Sequence, residues 1–219
     1  MFSPLMSSLE AILGPFGEGF VTTLSIVALS LPLALVVGAL ALIPRLSKHV
    51  MLRAPVYAAI EFLRNTPTFV LILVAYYGLP LLGWRLDGIY CGALAIAIQS
   101  GAYFAEVLRG GVQSIPRTQW DAARAIGMRP LAVFLRAILP QALLKVIPSL
   151  GNQVAVLIKD TSLVAGIGVV DLTLTGKLTM ERTAVSYEVF LVVALFYLLM
   201  TTTVSLVFRA LEAHYREKM

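Results

Sequence analysis

The run "FVTTLSIVALSLPLALVVGALALI", Phe20 to Ile43, contains no charged residue. As a helix it reaches about 36 Å at roughly 1.5 Å per residue, enough to cross a hydrocarbon layer of about 30 Å with some tilt. Inside lipid the backbone must satisfy its own hydrogen bonds, so the run predicts a spanning helix. The composition agrees. The chain is 59% hydrophobic and 13% charged, with mean hydropathy +0.88, whereas a water-facing domain carries about a quarter charged residues.

Four further apolar runs follow. "PTFVLILVAYYGLPLLGW" (Pro67 to Trp84) is extended backwards by "APVYAAIEFLRN". "IYCGALAIAIQSGAYFAEVL" runs from Ile89 to Leu108. "LPQALLKVIPSLGNQVAVLIK" (Leu139 to Lys159) is interrupted by Pro140, Pro148 and Gly151. "VFLVVALFYLLMTTTVSLVFRAL" (Val189 to Leu211) is the plainest. The sequence therefore predicts one all-α, multi-pass membrane domain over residues 1–219 with about five spans. "GPFGEG", at Gly14 to Gly19, is expected to separate a short N-terminal piece. Met1 to Leu13 carries only Glu10, so no cleaved leader is expected.

Basic residues set the orientation, because loops rich in lysine and arginine stay inside. With the N-terminus outside, the inner connections hold Arg45, Lys48 and Arg53, then Arg109, Arg117, Arg124, Arg129 and Arg136, then Arg209, Arg216 and Lys218. The outer ones hold only Arg85, Lys159, Lys177 and Arg182. The expectation is an outer N-terminus and an inner C-terminus. The net charge of +5 is scattered at span ends, so it belongs to orientation and not to nucleic-acid binding.

No catalytic or metal site emerges. Cys91 is alone, inside an apolar run, and His49 and His214 fall at inner ends as solvated residues. No Gly-x-x-x-x-Gly-Lys-Ser/Thr phosphate loop exists, and the pairs Gly110-Gly111 and Gly166-Gly168 lack the lysine and hydroxyl.

The longest inner connection holds "WDAARAIGMRP", Trp120 to Pro130. No proline interrupts residues 118–129, and Pro116 stands just before a helix start. Ala122, Ala123 and Ile126 recur at spacings of three and four, giving one small face. Asp121 is expected in the first turn, where it suits the helix dipole. Gly127 inside the helix costs about 1 kcal/mol relative to alanine, offset by a close approach or a bend. Such a helix docks into a partner or packs on its own membrane domain.

Polar residues within spans are functional suspects. Gln99, Tyr103 and Glu106 share one stripe of span three, which lines a path or bonds between helices; Glu106 pairs with Arg109 or Arg64 in the second case. Glu61 and Arg64 lie at self-pairing distance. Asn65, Thr66 and Pro67 then break the helix at a depth where irregular backbone needs protein or a cavity around it. Asn152 and Gln153 follow the interrupted fourth run, with Lys159, Asp160, Thr161 and Ser162 beyond. Lys159 and Asp160 pair on the outer surface or touch a donor protein.

The segment "WDAARAIGMRPLAVFLRAILPQAL" resembles the cytoplasmic signature of ATP-binding-cassette importer permeases, read here as Asp121, Ala122, Ala123, Gly127, Ile138, Leu139 and Pro140. Asp121 departs from the glutamate usual in that family. "FLRNTPTFV", "AYFAEVLRGGVQSIPRTQWDAARAIGM" and "IKDTSLVAGIGVVDL" are each similar to permeases for polar amino acids, in the same order, over residues 18–212. The resemblance implies a coupling helix, Gln119 to Arg129, seated in a cleft of an ATPase subunit, with Ala122, Ala123 and Gly127 giving close contact and Asp121 and Arg124 as polar anchors at its edge. Arg124 and Arg129 alternatively meet lipid headgroups. It implies ATP and magnesium in a partner ATPase dimer, no cofactor in this chain, an external substrate-binding protein, and a bacterial inner-membrane location. Five helices are too few to enclose a path of amino-acid width, so a second copy or a homologous permease is expected. The competing reading is an ion-gradient-driven carrier, which needs mid-membrane titratable groups and usually an inverted repeat.

Overall fold

The computed structural model describes residues 3–183 and 187–216, with side chains for 14–183 and 187–215. Helix α1 (Ser3–Arg45) runs unbroken through Pro15, Pro32 and Pro44. The expected separation at Gly14 to Gly19 does not occur. Proline and glycine weaken a helix, yet a chain in lipid has no water to replace the bonds that a break would open.

A proline does break the next element. Helix α2 (Val50–Asn65) ends at Thr66 (φ −92°, ψ 132°) and Pro67 (φ −58°, ψ 135°), before α3 (Thr68–Gly78). A residue preceding proline is driven out of the helical region. The helix axis turns by 105° between the two arms. The expected second span is thus a bent pair and not a straight rod. A 3₁₀ turn (Leu79–Leu82) leads on to α4 (Gly88–Gln113), capped by the Asp87 carboxylate, which accepts from the Ile89 N–H at 3.0 Å.

Helix α5 (Arg117–Ala125) lies outside the apolar stretches. After it, α6 (Pro130–Ala132) passes through a π-helical stretch (Val133–Ile138) into α7 (Leu139–Asp160). The interruptions expected at Pro140 and Pro148 are absent. Pro140 follows close on the π-helical stretch, whose wider turn accommodates its missing N–H, and Pro148 and Gly151 are carried inside the helix. A 3₁₀ segment (Thr161–Ile167) ends at Gly168, whose φ of 82° closes the turn. Helices α8 (Leu172–Thr183) and α9 (Tyr187–Arg216) complete the described chain. The fully buried Asp171 caps α8 through the Leu174 N–H at 2.9 Å and ties it to α9 by accepting from Tyr197 Oη at 3.0 Å. Burial pushes that carboxyl up, and these hydrogen bonds oppose the shift.

Among the described residues four unbroken helical stretches are long and apolar enough to span, and the bent pair makes a fifth. Only α4 is enclosed: 61% of its apolar window is buried, against 17–28% for the others. The others turn Leu40, Val74, Leu131, Leu198 and Leu206 outward, as lipid-facing surfaces do. Close approach is bought with glycine where α1 crosses α4. A Cβ on Gly38 would stand 2.7 Å from Phe104 Cβ, and one on Gly101 2.5 Å from Val37 Cγ1. Membrane helices associate largely by such packing.

Candidate functional site

The break between α2 and α3 strips the carbonyls of residues 63–66 of their helical partners, and three of the four find donors on α4. Leu63 would bond to the N–H of residue 67, but Pro67 has none. The Val70 N–H, which Thr66 would use, goes instead to Pro67 O at 3.0 Å. Helix α4 replaces the donors. Gln99, 4% exposed, donates through Nε2 to Leu63 O at 3.0 Å and to Thr66 O at 2.7 Å, and Tyr103 Oη donates to Arg64 O at 2.9 Å. Two features that the sequence presents separately, the polar stripe and the proline break, are therefore one unit. Gln99 and Tyr103 hold the broken backbone. Asn65 and Thr66 bond back to Glu61 O and Phe62 O, each at 2.7 Å.

Asp160 reaches the same break. Its Oδ2 accepts from Thr68 Oγ1 at 3.4 Å, and no ion pair satisfies it among the described residues. The surface ion pair with Lys159 does not form; Lys159 is exposed while Asp160 is half-buried. A carboxylate inside a spanning helix without a cation is costly, and such groups mark binding or translocation paths.

One turn beyond Tyr103 along α4, Glu106 pairs with Arg109 and with Arg45 of α1, the latter at 2.9 Å. Arg64 is not its partner; it pairs with Glu61 at 3.2 Å. Arg45, only 8% exposed, also lies over the Tyr57 ring at 4.7 Å. Glu106 thus locks α1, α2 and α4 together and is not free to meet a solute. Arg45 counts only toward orientation in the sequence; nothing local in the sequence marks its long-range partner. Gln153 is half-buried on α7, and Asn152 is exposed beside α9.

Helix α5 is shorter than the sequence predicts. It ends at Ala125, and Gly127 (φ 80°) lies beyond it as a left-handed stop, its N–H bonded to Arg124 O at 2.9 Å. The positive φ alone accounts for glycine here, and within this chain a Cβ would meet nothing within 4 Å. Asp121 falls past the first turn and pairs with Arg124 at 3.5 Å on the surface.

Ala123 is 7% exposed, packed with Val112, Ile115, Val133, Ile138 and Ala142. The single small face expected from Ala122, Ala123 and Ile126 does not exist: the chain's own core takes Ala123. The outward stripe is Gln119, Ala122 and Ile126, with Ile126 79% exposed and Asp121 and Arg124 on its flank. Trp120 and Met128 seal the edge of the inner cluster. Lys145 Nζ donates to Ser114 O at 3.1 Å, bracing the entry to α5 against α7. Residue spacing alone could not choose between the two sides of α5, because both are small.

A multi-pass helical domain that holds out an apolar-centred helix beyond its spans, and encloses a broken helix at their heart, has the architecture of a transport permease that takes its driving force from a neighbour. A family model described as "Binding-protein-dependent transport system inner membrane component" matches residues 30–217, and the chain belongs to that family. The family supplies the membrane component, with ATP hydrolysis in a separate subunit, so the ion-gradient carrier reading is set aside. The chain is 37% identical over 195 residues to the probable glutamine ABC transporter permease protein of Bacillus subtilis (strain 168), covering 89% of this chain and 90% of that one. It is 38% identical over 202 residues to the glutamine transport system permease protein of Escherichia coli (strain K12), with the same coverage of 89% and 90%. A crystal structure of an amino acid ABC transporter with histidines superposes with a TM-score of 0.87 at 30% identity, over 94% of this chain and 97% of that one.

Proposed function

We propose that this chain forms, with a second permease, the pathway of an ATP-driven importer for a polar amino acid in a bacterial inner membrane. Substrate arrives on an external binding protein, crosses between the paired permeases, and leaves on the side where α5 projects. The N-terminus lies outside and the C-terminus inside, as the basic residues direct. What carries the amino-acid reading is the identity of 38% to a glutamine permease along nine-tenths of both chains.

The geometry supplies the working parts. Asp160 offers an unpaired carboxylate beside Thr68, suited to the ammonium that every amino acid carries. The bend held by Gln99 and Tyr103 brings the α2–α3 backbone to that level. Outside the spans, Ala122 and Ile126 present an apolar strip to an ATPase cleft, with the Gln119 amide at one end and Asp121 and Arg124 as its charged rim. ATP and magnesium reside in that partner, whose closure displaces α5 and redistributes the permease between states.

The test is uptake of labelled glutamine, arginine and histidine into right-side-out vesicles holding ATP, with the binding protein outside. Uptake that requires ATP and persists after ionophores collapse the ion gradients supports the proposal. Uptake that follows the gradient and ignores ATP defeats it.

A further inference from the structure

Three pairs of opposite charge stand three residues apart on helices and close on themselves: Glu61 with Arg64, Glu106 with Arg109, and Asp121 with Arg124. A fourth, Arg209 with Glu212 on α9, stays open. Among the described residues neither side chain makes an ion pair or hydrogen bond to the protein. The order explains this in part, since acid before base is the favourable arrangement on a helix and here it is reversed. Two opposite charges about 5–6 Å apart at their Cβ atoms are thus left available to something else.

They line a recess of about 240 Å³ between α7 and α9, together with Pro148, Gly151, Asn152 and Ser205. Gly151 sets its back wall: a Cβ there would stand 2.6 Å from Phe208 Cβ, so only glycine lets α9 lie this near. Ser205 Oγ donates to Thr201 O at 2.8 Å and keeps its lone pairs for a donor. Asn152 is exposed and adds an amide with both donor and acceptor. Arg209 is the first charge after the apolar stretch of α9, so the recess opens where the helix leaves hydrocarbon. Leu206, Val207 and Leu211 beside it are 57%, 52% and 41% exposed, an apolar surface running away from the polar pocket.

We infer that this recess binds a zwitterionic group, an acidic moiety against Arg209 and a primary ammonium against Glu212, Ser205 and Asn152. Two molecules at a membrane carry that chemistry: the phosphoethanolamine head of a phospholipid and a free amino acid. The site is distinct from the α2–α3 break and from α5, and it does not depend on which solute is transported.

The experiment uses the full-length chain in nanodiscs of choline phospholipid doped with ethanolamine phospholipid, with native mass spectrometry of retained lipid, and equilibrium dialysis of labelled glutamine at millimolar concentration. If the lipid is the ligand, ethanolamine lipid is retained at least ten-fold over its N-trimethylated choline counterpart, and Arg209→Gln or Glu212→Gln each abolishes the preference. If the amino acid is the ligand, glutamine binding, measured in an Asp160→Asn background that removes the pathway carboxylate, falls at least ten-fold when Arg209→Gln or Glu212→Gln is added. Both substitutions are at the surface, and unchanged unfolding midpoints without ligand confirm an intact fold. No preference between the two lipids combined with no glutamine binding, or binding of either that survives both substitutions, overturns the inference.

Discussion

Replacing Gln99 with leucine keeps the side chain's bulk and removes both of its donors. The Leu63 and Thr66 carbonyls, now held at 3.0 and 2.7 Å, would face a buried apolar group. An unsatisfied buried acceptor costs about 1–3 kcal/mol, which sets an upper range of about 2–6 kcal/mol for the pair. The reference state lowers this. Pro67 is present in the unfolded chain too, so Leu63 lacks a helical donor there as well, and polar contacts in membrane proteins average only about 0.6 kcal/mol, reaching about 1.7. Taking the two bonds near that maximum gives about 3 kcal/mol. Tyr103→Phe removes one bond, at Arg64 O, and should cost about half as much. Because both side chains hold one backbone break, the double substitution should cost less than the sum by at least about 0.5 kcal/mol. Unfolding in mixed micelles of rising sodium dodecyl sulfate, followed by fluorescence of Trp84 and Trp120, measures all three. Gln99→Leu within about 0.5 kcal/mol of the parent protein, the range of an ordinary surface change, would refute the argument that α4 supplies the missing donors.

Gly101→Ala should destabilise by about 1–3 kcal/mol through overpacking against Val37. Gly110→Ala, on the same helix but facing open space, should be neutral or stabilising by up to about 1 kcal/mol; the same detergent titration compares them, and equal effects would count against glycine-mediated packing of α1 on α4. Ala122→Arg should block co-purification with the ATPase while leaving the permease folded, whereas Ala123→Arg should unfold the inner cluster; a folded Ala123→Arg protein that loses only the partner would reverse the assignment of the two sides. Arg45→Met should cost far more stability than Arg124→Met, because Arg45 is 8% exposed and Arg124 is 63% exposed and exposed pairs contribute about 0–1 kcal/mol. Comparable unfolding midpoints for those two variants would contradict the buried clamp.

The spans were legible because lipid imposes length and apolarity on every crossing, and Phe20 to Ile43 states both without ambiguity. Prolines were not. Pro67 breaks its helix and Pro15, Pro32 and Pro148 do not, since the outcome depends on whether neighbours such as Gln99 and Tyr103 can supply the donors that a break requires. The stripe on α4 and the break were both visible, but their union is a contact between residues more than thirty positions apart. On α5, the residues left both docking on a partner and packing on the chain's own domain open, because alanine serves equally well against a core and against another protein. Gly127 stands in a sequence that continues helical on both sides, and only its positive φ reveals it as the stop. Family resemblance named the class correctly and said nothing about Arg45 or the open pair on α9.

Ala123 gives α5 two hosts at once, since Val112 and Ile115 lie at the end of α4 while Val133, Ile138 and Ala142 belong to the entry and first turns of α7. A load applied to α5 is divided between the enclosed central rod and the helix that carries Asp160 at its far end. Under the proposed function α5 is therefore a yoke, steering two members with one pull, and slack in either seat would weaken the stroke before any solute had moved.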